Sequence, residues 1–258
     1  MLNQSCIIIL PCYNVGAYLA ECLCSIKNQT YTNWKAIIVN DGSTDDTARV
    51  AQAFVDADSR FTLLSHTTNQ GQAAARNTAL AFIFDQTENY KTFVSEPENT
   101  WISFLDSDDY LDKDFLSEML TMPALVKGHN ASDYDIIQSG YRRVLNDGTV
   151  LEAKHPHHFY QFVSPCMRLY KSDLLYDLRF PERMIYEDVI FSLDLWSKHP
   201  KYCIIPYIGY NYRRNPTSTT SKPNIPAQHT LYPSIYMTTA PLWLKLYTII
   251  RLKFHFFK

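Results

Sequence analysis

The chain has 258 residues, of which 46% are hydrophobic and 19% are charged, and this balance excludes an intrinsically disordered protein. Its length allows one large α/β domain, or a nucleotide-binding half with a smaller second half. The formal net charge of -2 gives no general attraction to a polyanion, so we expect no nucleic-acid partner.

The cysteines and the N-terminus indicate a cytoplasmic protein. The six cysteines are at positions 6, 12, 22, 24, 166 and 203, and no two of them form a CxxC pair. We therefore predict reduced, mostly buried thiols rather than a zinc site, with a structural disulfide as the alternative. No basic segment precedes the apolar run at 6–10, which is too short for the core of a signal peptide, so we expect no export.

Strands and helices alternate through the first 110 residues. The apolar patterns predict strands at 6–10, 35–40, 61–65 and 101–105, with helices at 15–28 and 71–84 between them. Capping residues at 41–45 start a further helix, with Phe54 among the residues of its buried side. This alternation is typical of a mostly parallel sheet with right-handed crossovers.

The second half has a looser pattern with antiparallel character. We predict helices at 113–122 and 187–197, strands at 135–141 and 167–170, and a hairpin turn at Asn146-Asp147-Gly148. We divide the chain into residues 1–110, residues 111–225 and a C-terminal tail, 226–258.

Polar residues follow the predicted strands at the edge where ligands of parallel α/β sheets bind. Asp106-Ser107-Asp108-Asp109 follows the fourth strand, and carboxylates two residues apart can converge on a hard cation that bridges the oxygens of a diphosphate. The alternative is an acidic turn that caps the following helix. Asp41-Gly42-Ser43 could hold a base or ribose, or could be an ordinary helix-capping turn. Tyr13 could stack on a base, or pack in the core.

Three further groups of side chains could bind anions, protons or metals. Asp188, next to Glu187 at the start of a predicted helix, could accept a proton from a hydroxyl, although acidic residues favour a first helical turn whatever the function. Arg76 could pair with an anion, and Arg213-Arg214 would suit a mobile strap over phosphates or a solvated loop. The histidines at 155–158 lack the spacing of a metal site, and we predict a loop there.

The order of these motifs resembles the family 2 glycosyltransferases. Ile7 to Asn14, Val39 to Asp45, Gly71 with Ala75 to Asn77, and Ile102 to Asp109 carry the resemblance over the first 110 residues. It reappears in Tyr186 to Val189 and in Tyr210 to Arg213. The family has the GT-A fold, a mostly parallel Rossmann-like sheet with a smaller mixed acceptor-side half, and commonly builds bacterial surface polysaccharides. The resemblance implies that residues 1–110 bind the donor, and that 111–225 bind the acceptor and carry the catalytic base.

The resemblance also implies a role for each matching position. Tyr13 would flank the base, usually uracil, and Asp41 would hydrogen-bond it. Pro11, Asn14 and Arg76 would line the nucleotide. Asp108 would be the principal ligand of Mg2+ or Mn2+, with Asp106 touching the ribose and the metal shell. Asp188, with Glu187 beside it, matches the family's catalytic base.

The sequence departs from the family pattern at two places. The link between the third helix and fourth strand is longer than usual, and we predict a polar surface insertion at 85–100. The segment that often reads Trp-Asn-Lys-Leu-Tyr in the family is Cys166-Met-Arg-Leu-Tyr170 here, which leaves acceptor specificity open.

The resulting prediction is an inverting, metal-dependent transferase that moves a sugar from a UDP-sugar to a saccharide or lipid-linked acceptor in cell-envelope polysaccharide synthesis. The alternatives are a catalytically inactive sugar-nucleotide-binding scaffold and a nucleotidyltransferase, although the usual Gly-rich loop is missing after the first strand. Residues 241–258 combine apolar side chains with four basic ones, so they could lie on the inner face of the cytoplasmic membrane or pack on protein. The sequence is also compatible with a homo-oligomer.

Overall fold

The first half alternates strands and helices, as predicted. In this computed structural model, residues 4–85, 92–94, 96–156, 164–182 and 187–214 are described. The elements are β1 (Ser5–Cys12), α1 (Gly16–Lys27), β2 (Trp34–Asp41), α2 (Thr47–Ala57), β3 (Phe61–His66), α3 (Gln72–Ile83) and β4 (Thr100–Phe104). Each lies within a few residues of its predicted bounds.

Apolar patterning explains why these elements pack as they do. The run at 6–10 in β1 is almost fully inaccessible to solvent because β1 lies between β2 and β4 in a sheet with helices on its faces. On α1, Leu19, Cys22, Leu23 and Ile26 form one buried face. Alanines fill the buried face of α3, and their small side chains allow this helix to lie close to β1 and β2.

The second half adds strands of both directions. Its elements are β5 (Tyr110–Leu111), α4 (Phe115–Lys127), β6 (Ile136–Val144), β7 (Val150–Lys154), β8 (Arg168–Lys171), a short α5 (Ser172–Leu175), α6 (Glu187–Ser197) and β9 (Tyr202–Arg213). The predicted hairpin joins β6 to β7, with Gly148 at φ 84° in the left-handed region that favours glycine.

One sheet runs through both halves. Its order is β3-β2-β1-β4-β8-β6-β9-β5, with β7 paired to β6 outside this path. The first four strands are parallel, β8 is antiparallel to β4, and β9 runs parallel to β6. The predicted α/β class, a parallel Rossmann-like part with a smaller mixed part, is confirmed.

Two predictions need correction. The supposed mobile strap at Arg213 is wrong, because Arg213 is the buried last residue of β9 and pairs with Val144 of β6. The segment at 85–100 is not wholly a surface decoration, since Phe93 and Val94 are buried and Phe93 packs edge-on against Phe82. Lys35, near the amino end of β2, lies over the Phe93 ring, which places this part of the segment at the edge of the sheet opposite the acidic turn.

Several predicted features lie outside the described residues: His157, His158, Tyr186, Ser218 to Ser221 and the tail at 226–258. All six cysteines are free thiols, and Cys24 alone among them is exposed. Within the described ranges, the helices are too short or too polar to cross a bilayer.

Candidate functional site

The acidic turn after β4 lies at the carboxyl edge of the parallel strands. Its Ser107 hydroxyl donates to the carbonyl of Pro11, near the carboxyl end of the neighbouring β1, over 2.8 Å. Asp109 is buried and accepts from the Tyr210 hydroxyl over 2.6 Å and from the Arg213 backbone N–H over 2.7 Å. Burial and the nearby carboxylates hold the pKa of Asp109 well above its ordinary value. The turn is therefore fixed from one side by β1 and from the other by β9.

Arg213 has protein partners on several sides. Its Nε donates to the carbonyl of Asp108 over 2.9 Å, and its Nη2 pairs with Glu21 of α1 over 2.5 Å. The guanidinium also lies over the rings of Tyr18 and Tyr110. These contacts hold Arg213 inside the protein instead of directing it at a phosphate. Its neighbour Arg214 is exposed at the same end of β9, so the expected phosphate contact stays open there.

Asp41, at the end of β2, organises the loop that leads into α3. It lies opposite His66 in the β2–β3 register, and its Oδ1 is 2.6 Å from His66 Nδ1. Its two oxygens also accept the backbone N–H groups of Gln70 and Gly71, over 2.9 and 2.8 Å. The predicted contact with a base must therefore share this carboxylate with the loop.

Glycine is required where this loop crosses the turn after β2. Gly42 has φ 67°, and an added Cβ would lie 2.5 Å from the backbone of Thr68. Because of both features, any residue other than glycine would be strained at this position. The close approach brings the loop at 67–71 over the end of β2, next to the acidic turn.

Helix α3 connects the acidic turn to the helix of the proposed base. Asp106 Oδ1 accepts from Gln72 Nε2 over 2.8 Å and from Arg76 Nη2 over 2.9 Å. The other terminal nitrogen of Arg76, Nη1, pairs with Glu187 at the start of α6 over 3.0 Å. Arg76 is therefore a buried bridge between two carboxylates. Residues 106 and 187 are far apart in the chain and share one guanidinium.

Asp188 has the properties of a proton acceptor near neutral pH. Its pKa is raised to about 6, first by burial and then by the charge of Glu187, while Arg76 opposes the rise. Its Oδ1 accepts from the backbone N–H of Val189 over 2.9 Å. Raised carboxyl pKa values of this kind are typical of general bases, although structural networks also produce them.

The loops after β1 and β2 are joined by Asn14. Its side-chain oxygen accepts from the N–H of Thr44 over 2.8 Å, and its own N–H donates to the Ser43 hydroxyl. Tyr13, beside it, is 47% exposed, which leaves its ring face available to a base. Pro11, Tyr13, Asn14, Asp41, Arg76, Asp106 and Asp108 thus lie on adjoining loops or elements along the same edge.

The donor set fits a cation that is shared with a ligand rather than enclosed by protein. Asp106 and the half-buried Asp108 belong to one tight turn, and the hydrogen bonds from Gln72 and Arg76 to the Asp106 carboxylate both fall on Oδ1. In the described ranges, no three His, Cys, Asp or Glu side chains form a metal cage. Mg2+ is commonly held by one or two carboxylates together with phosphate oxygens and water, which is what this turn offers.

Sequence patterns missed several residues that shape the site. Gln72 and His66 are ordinary polar positions in the sequence, and the contact of His66 with Asp41 depends on which strands become neighbours. Tyr210 belongs to a motif of the sequence, but its bond to Asp109 depends on the position of β9 in the sheet. The spacing of Gln72 and Arg76 did carry a signal, since residues four apart share one helix face.

The fold is that of GT-A glycosyltransferases. The crystal structure of residues 1–349 of Staphylococcus aureus TarS in complex with UDP-GlcNAc superimposes with a TM-score of 0.69 at 21% identity, covering 93% of this chain and 68% of that one. The mannosyltransferase PcManGT from Pyrobaculum calidifontis, in complex with GDP-Man and Mn2+, has a TM-score of 0.57 at 18% identity, covering 95% of this chain and 64% of that one.

The sequence comparison agrees with the fold. The family model "Glycosyl transferase family 2" matches residues 7–178, and the chain belongs to that family. Glycosyltransferase GlyA of Streptococcus pneumoniae is 27% identical in an alignment of 230 positions that covers 83% of this chain and 31% of GlyA. The chain thus spans about a third of the length of that relative.

Proposed function

We propose that this chain transfers a sugar from a UDP-sugar to a hydroxyl of a saccharide or lipid-linked saccharide, with inversion, in cell-envelope polysaccharide synthesis. The observation that carries the proposal is the Arg76 bridge, which joins Asp106 on the acidic turn to Glu187 beside Asp188. A donor-side carboxylate and a candidate base are thereby brought to one place. TarS, which carries UDP-GlcNAc in its crystal structure and whose name describes a poly(ribitol-phosphate) beta-N-acetylglucosaminyltransferase, supports the choice of donor and of a polymeric acceptor.

In this proposal the nucleotide lies along the loops that follow β1 and β2. Tyr13 offers its exposed ring to the base, and Asn14 holds the two loops together. Asp41 fixes the loop at 70–71 through two backbone N–H groups. At the same edge its carboxylate would accept a hydrogen bond from the nucleotide base. Asp106 would contact the ribose, and Arg214 is the candidate for a phosphate contact.

Asp108, with Asp106, would hold Mg2+ or Mn2+. When bound there, the ion would neutralise the charge that develops on the departing nucleoside diphosphate. The protein's own contribution is to fix the turn. Ser107, Asp109 and the Asp108 carbonyl are each hydrogen-bonded to a neighbouring strand, so the carboxylates need no reorganisation when the donor arrives.

Asp188 would accept the proton of the acceptor hydroxyl. As that oxygen attacks the anomeric carbon, the bond from this carbon to the diphosphate oxygen breaks, and one displacement inverts the configuration. A pKa near 6 keeps most Asp188 carboxylates ionised at neutral pH while making them stronger bases than an exposed aspartate. Glu187, already paired with Arg76, would orient the start of α6.

A donor screen with a metal-site variant tests the proposal. We expect the protein to release nucleoside diphosphate from at least one of UDP-GlcNAc, UDP-glucose and GDP-mannose when Mg2+ or Mn2+ is present. Asp108→Ala should abolish metal-dependent donor binding in calorimetry, because it removes the principal metal ligand. Asp56→Ala, on the exposed face of α2, is the matched control and should bind as wild type.

The proposal has two independent points of failure. Nucleotide binding without any turnover would favour a non-catalytic binding protein. Unchanged metal-dependent binding by Asp108→Ala would remove Asp108 from the metal site while leaving the enzyme assignment in place.

A further inference from the structure

Asn77, one residue after Arg76 on α3, holds the segment that precedes α6, the base helix that carries the proposed catalytic base Asp188. Its Oδ1 accepts the backbone N–H of Phe180 over 2.8 Å, and its Nδ2 donates to the carbonyl of the same residue, also over 2.8 Å. Nδ2 is also 3.1 Å from Glu182 Oε1. A side-chain amide that bonds both polar groups of one residue's backbone fixes that residue as a neighbouring strand would.

The residue held in this way is a buried packing platform. Phe180 is 2% exposed, and its ring stacks on Phe191 of α6 with centroids 3.9 Å apart and planes inclined by 5°. Phe104 of β4 meets Phe180 edge-on at 5.2 Å. The guanidinium of Arg76 lies 5.0 Å from the Phe180 ring centroid. One ring therefore touches the sheet, the bridging arginine and the base helix.

Phe191, the stacking partner, lies on the same face of α6 as Glu187 and Asp188. Phe191 comes three residues after Asp188 and four after Glu187, so all three lie on neighbouring positions of one helix face. Rotation of α6 about its axis would move Phe191 off the Phe180 ring and would move both carboxylates together. Parallel stacking at 3.9 Å therefore fixes the rotation of the helix.

We propose that Asn77 is a positioning residue for the base helix. By holding the Phe180 backbone, it keeps the Phe180–Phe191 stack in place. The stack in turn keeps Asp188 facing the carboxyl edge of the parallel strands, where the donor is proposed to bind. The role of Asp188 in this inference rests on the proposed function. Arg76 and Asn77 act side by side, since Arg76 holds Glu187 by charge and Asn77 holds α6 through packing. A merely structural amide would satisfy two buried backbone groups and leave turnover unaffected.

The test compares Asn77→Ala with Asn99→Ala. Asn99 also uses its amide in a local hydrogen bond, to Glu96 in the 3-10 helix Pro97–Asn99, away from the acidic turn. The substrate is whichever of UDP-GlcNAc, UDP-glucose or GDP-mannose the wild type hydrolyses or transfers. We expect Asn77→Ala to keep the donor Kd within about twofold and to lose tenfold or more in kcat, in the range for a misplaced general base. Asn99→Ala should match the wild type in both.

Hydrogen exchange followed by mass spectrometry gives a second, activity-independent result. In Asn77→Ala, exchange should quicken in peptides that cover 176–182 and 187–197 and stay unchanged in β1 and β2. An unchanged kcat, or unchanged exchange in α6, would overturn the inference. Faster exchange throughout the sheet together with weaker donor binding would overturn it too, because the residue would then support the whole domain. If the wild type releases no nucleotide at all, the proposed function fails, and the exchange pattern alone decides whether Asn77 positions α6.

Discussion

Asp188 shows how a single carboxyl group acquires a functional property from its surroundings. Burial removes water from the charged form and raises its pKa to about 6, while Arg76 limits the rise. Glu187 is adjacent in sequence but is paired with that arginine. The two neighbouring carboxylates therefore differ, since Glu187 is ion-paired and Asp188 has the raised pKa that the proposed base requires.

Asp188→Asn should separate donor binding from catalysis. We expect the donor Kd to stay near the wild-type value, and kcat to fall by roughly 10²-fold or more, because the amide cannot accept the proton. Calorimetry and nucleotide release measure the two quantities. Near-normal turnover would refute the assignment.

The same variant should be more stable at alkaline pH, which guards against an explanation by unfolding. A folded-state pKa above the ordinary 3.8 means that ionising Asp188 destabilises the fold, with no effect below about pH 4 and the full cost above about pH 6. Removing the charge should therefore raise the free energy of unfolding by roughly 1–3 kcal/mol at pH 8, and by little at pH 4. Urea titrations at the two pH values check the sign.

The pH dependence of turnover follows from the same pKa. Because the base must be ionised, kcat should rise with pH through a midpoint near 6 and should lie about tenfold below its plateau at pH 5. Glu187→Gln removes a neighbouring charge that raises the pKa, so the midpoint should move to lower pH. A rate profile that is flat between pH 5 and 8 would contradict a role for Asp188 in the rate-limiting step.

At the scale of elements, β9 is the structure's main addition to what the sequence suggests. The strand Tyr202–Arg213 is rich in aromatic and β-branched residues, a composition typical of strands, but Pro206 and Gly209 interrupt the pattern. Its parallel pairing with β6 carries Tyr210 and Arg213 to the acidic turn. The motif at its end was evident in the sequence, whereas its position in the sheet was not.

The two arginines at the end of β9 should behave differently when replaced. Arg213→Ala removes the contacts with Glu21 and the Asp108 carbonyl, so we expect a loss of about 1–3 kcal/mol in unfolding free energy together with weaker donor binding. Arg214→Ala should leave stability unchanged, and any loss of donor affinity there would come from a phosphate contact. Denaturation and calorimetry on both variants separate the effects. Equal stability of Arg213→Ala and wild type would show that β9 does not hold the turn through this residue.

Local periodicity predicts local structure well, and for this reason the predicted bounds of the elements in the first half and of α6 agree with the structure. Helix α6 was predicted at 187–197 and runs from Glu187 to Ser197. Non-local pairing cannot be obtained in this way. Strand β8 lies between β4 and β6, and no spacing in the sequence records that antiparallel insertion. Contacts that depend on the position of β8, such as that of Phe104 with Tyr170, could not be predicted from the sequence either.

For the molecule as a whole, the continuous sheet explains how the two halves can form one site. The parallel strands β1, β2 and β4 direct their loops to one edge, and β9 returns to that edge from the second half. Helix α3 completes the arrangement, since Gln72 and Arg76 contact Asp106, Arg76 also contacts Glu187, and Asn77 contacts Phe180. The sequence motifs identified which residue types to expect at this edge, but the buried Arg76 bridge depended on tertiary packing.

The C-terminal tail bears on whether the whole molecule attaches to a membrane surface. Residues 241–258 contain Trp243, Leu244 and Phe254 among four basic residues and no acidic one, so we propose that they bind an anionic membrane surface, where lipid-linked acceptors reside. Deleting residues 240–258 should abolish sedimentation with vesicles of phosphatidylglycerol and phosphatidylcholine, while turnover of a water-soluble donor in the absence of vesicles should persist. Because attraction to anionic lipid is screened by salt, binding of the full chain should weaken as ionic strength rises, and pure phosphatidylcholine vesicles should bind far less of it. Equal sedimentation of the full and the shortened chain would show that the tail is not the membrane contact, and would favour its packing on protein.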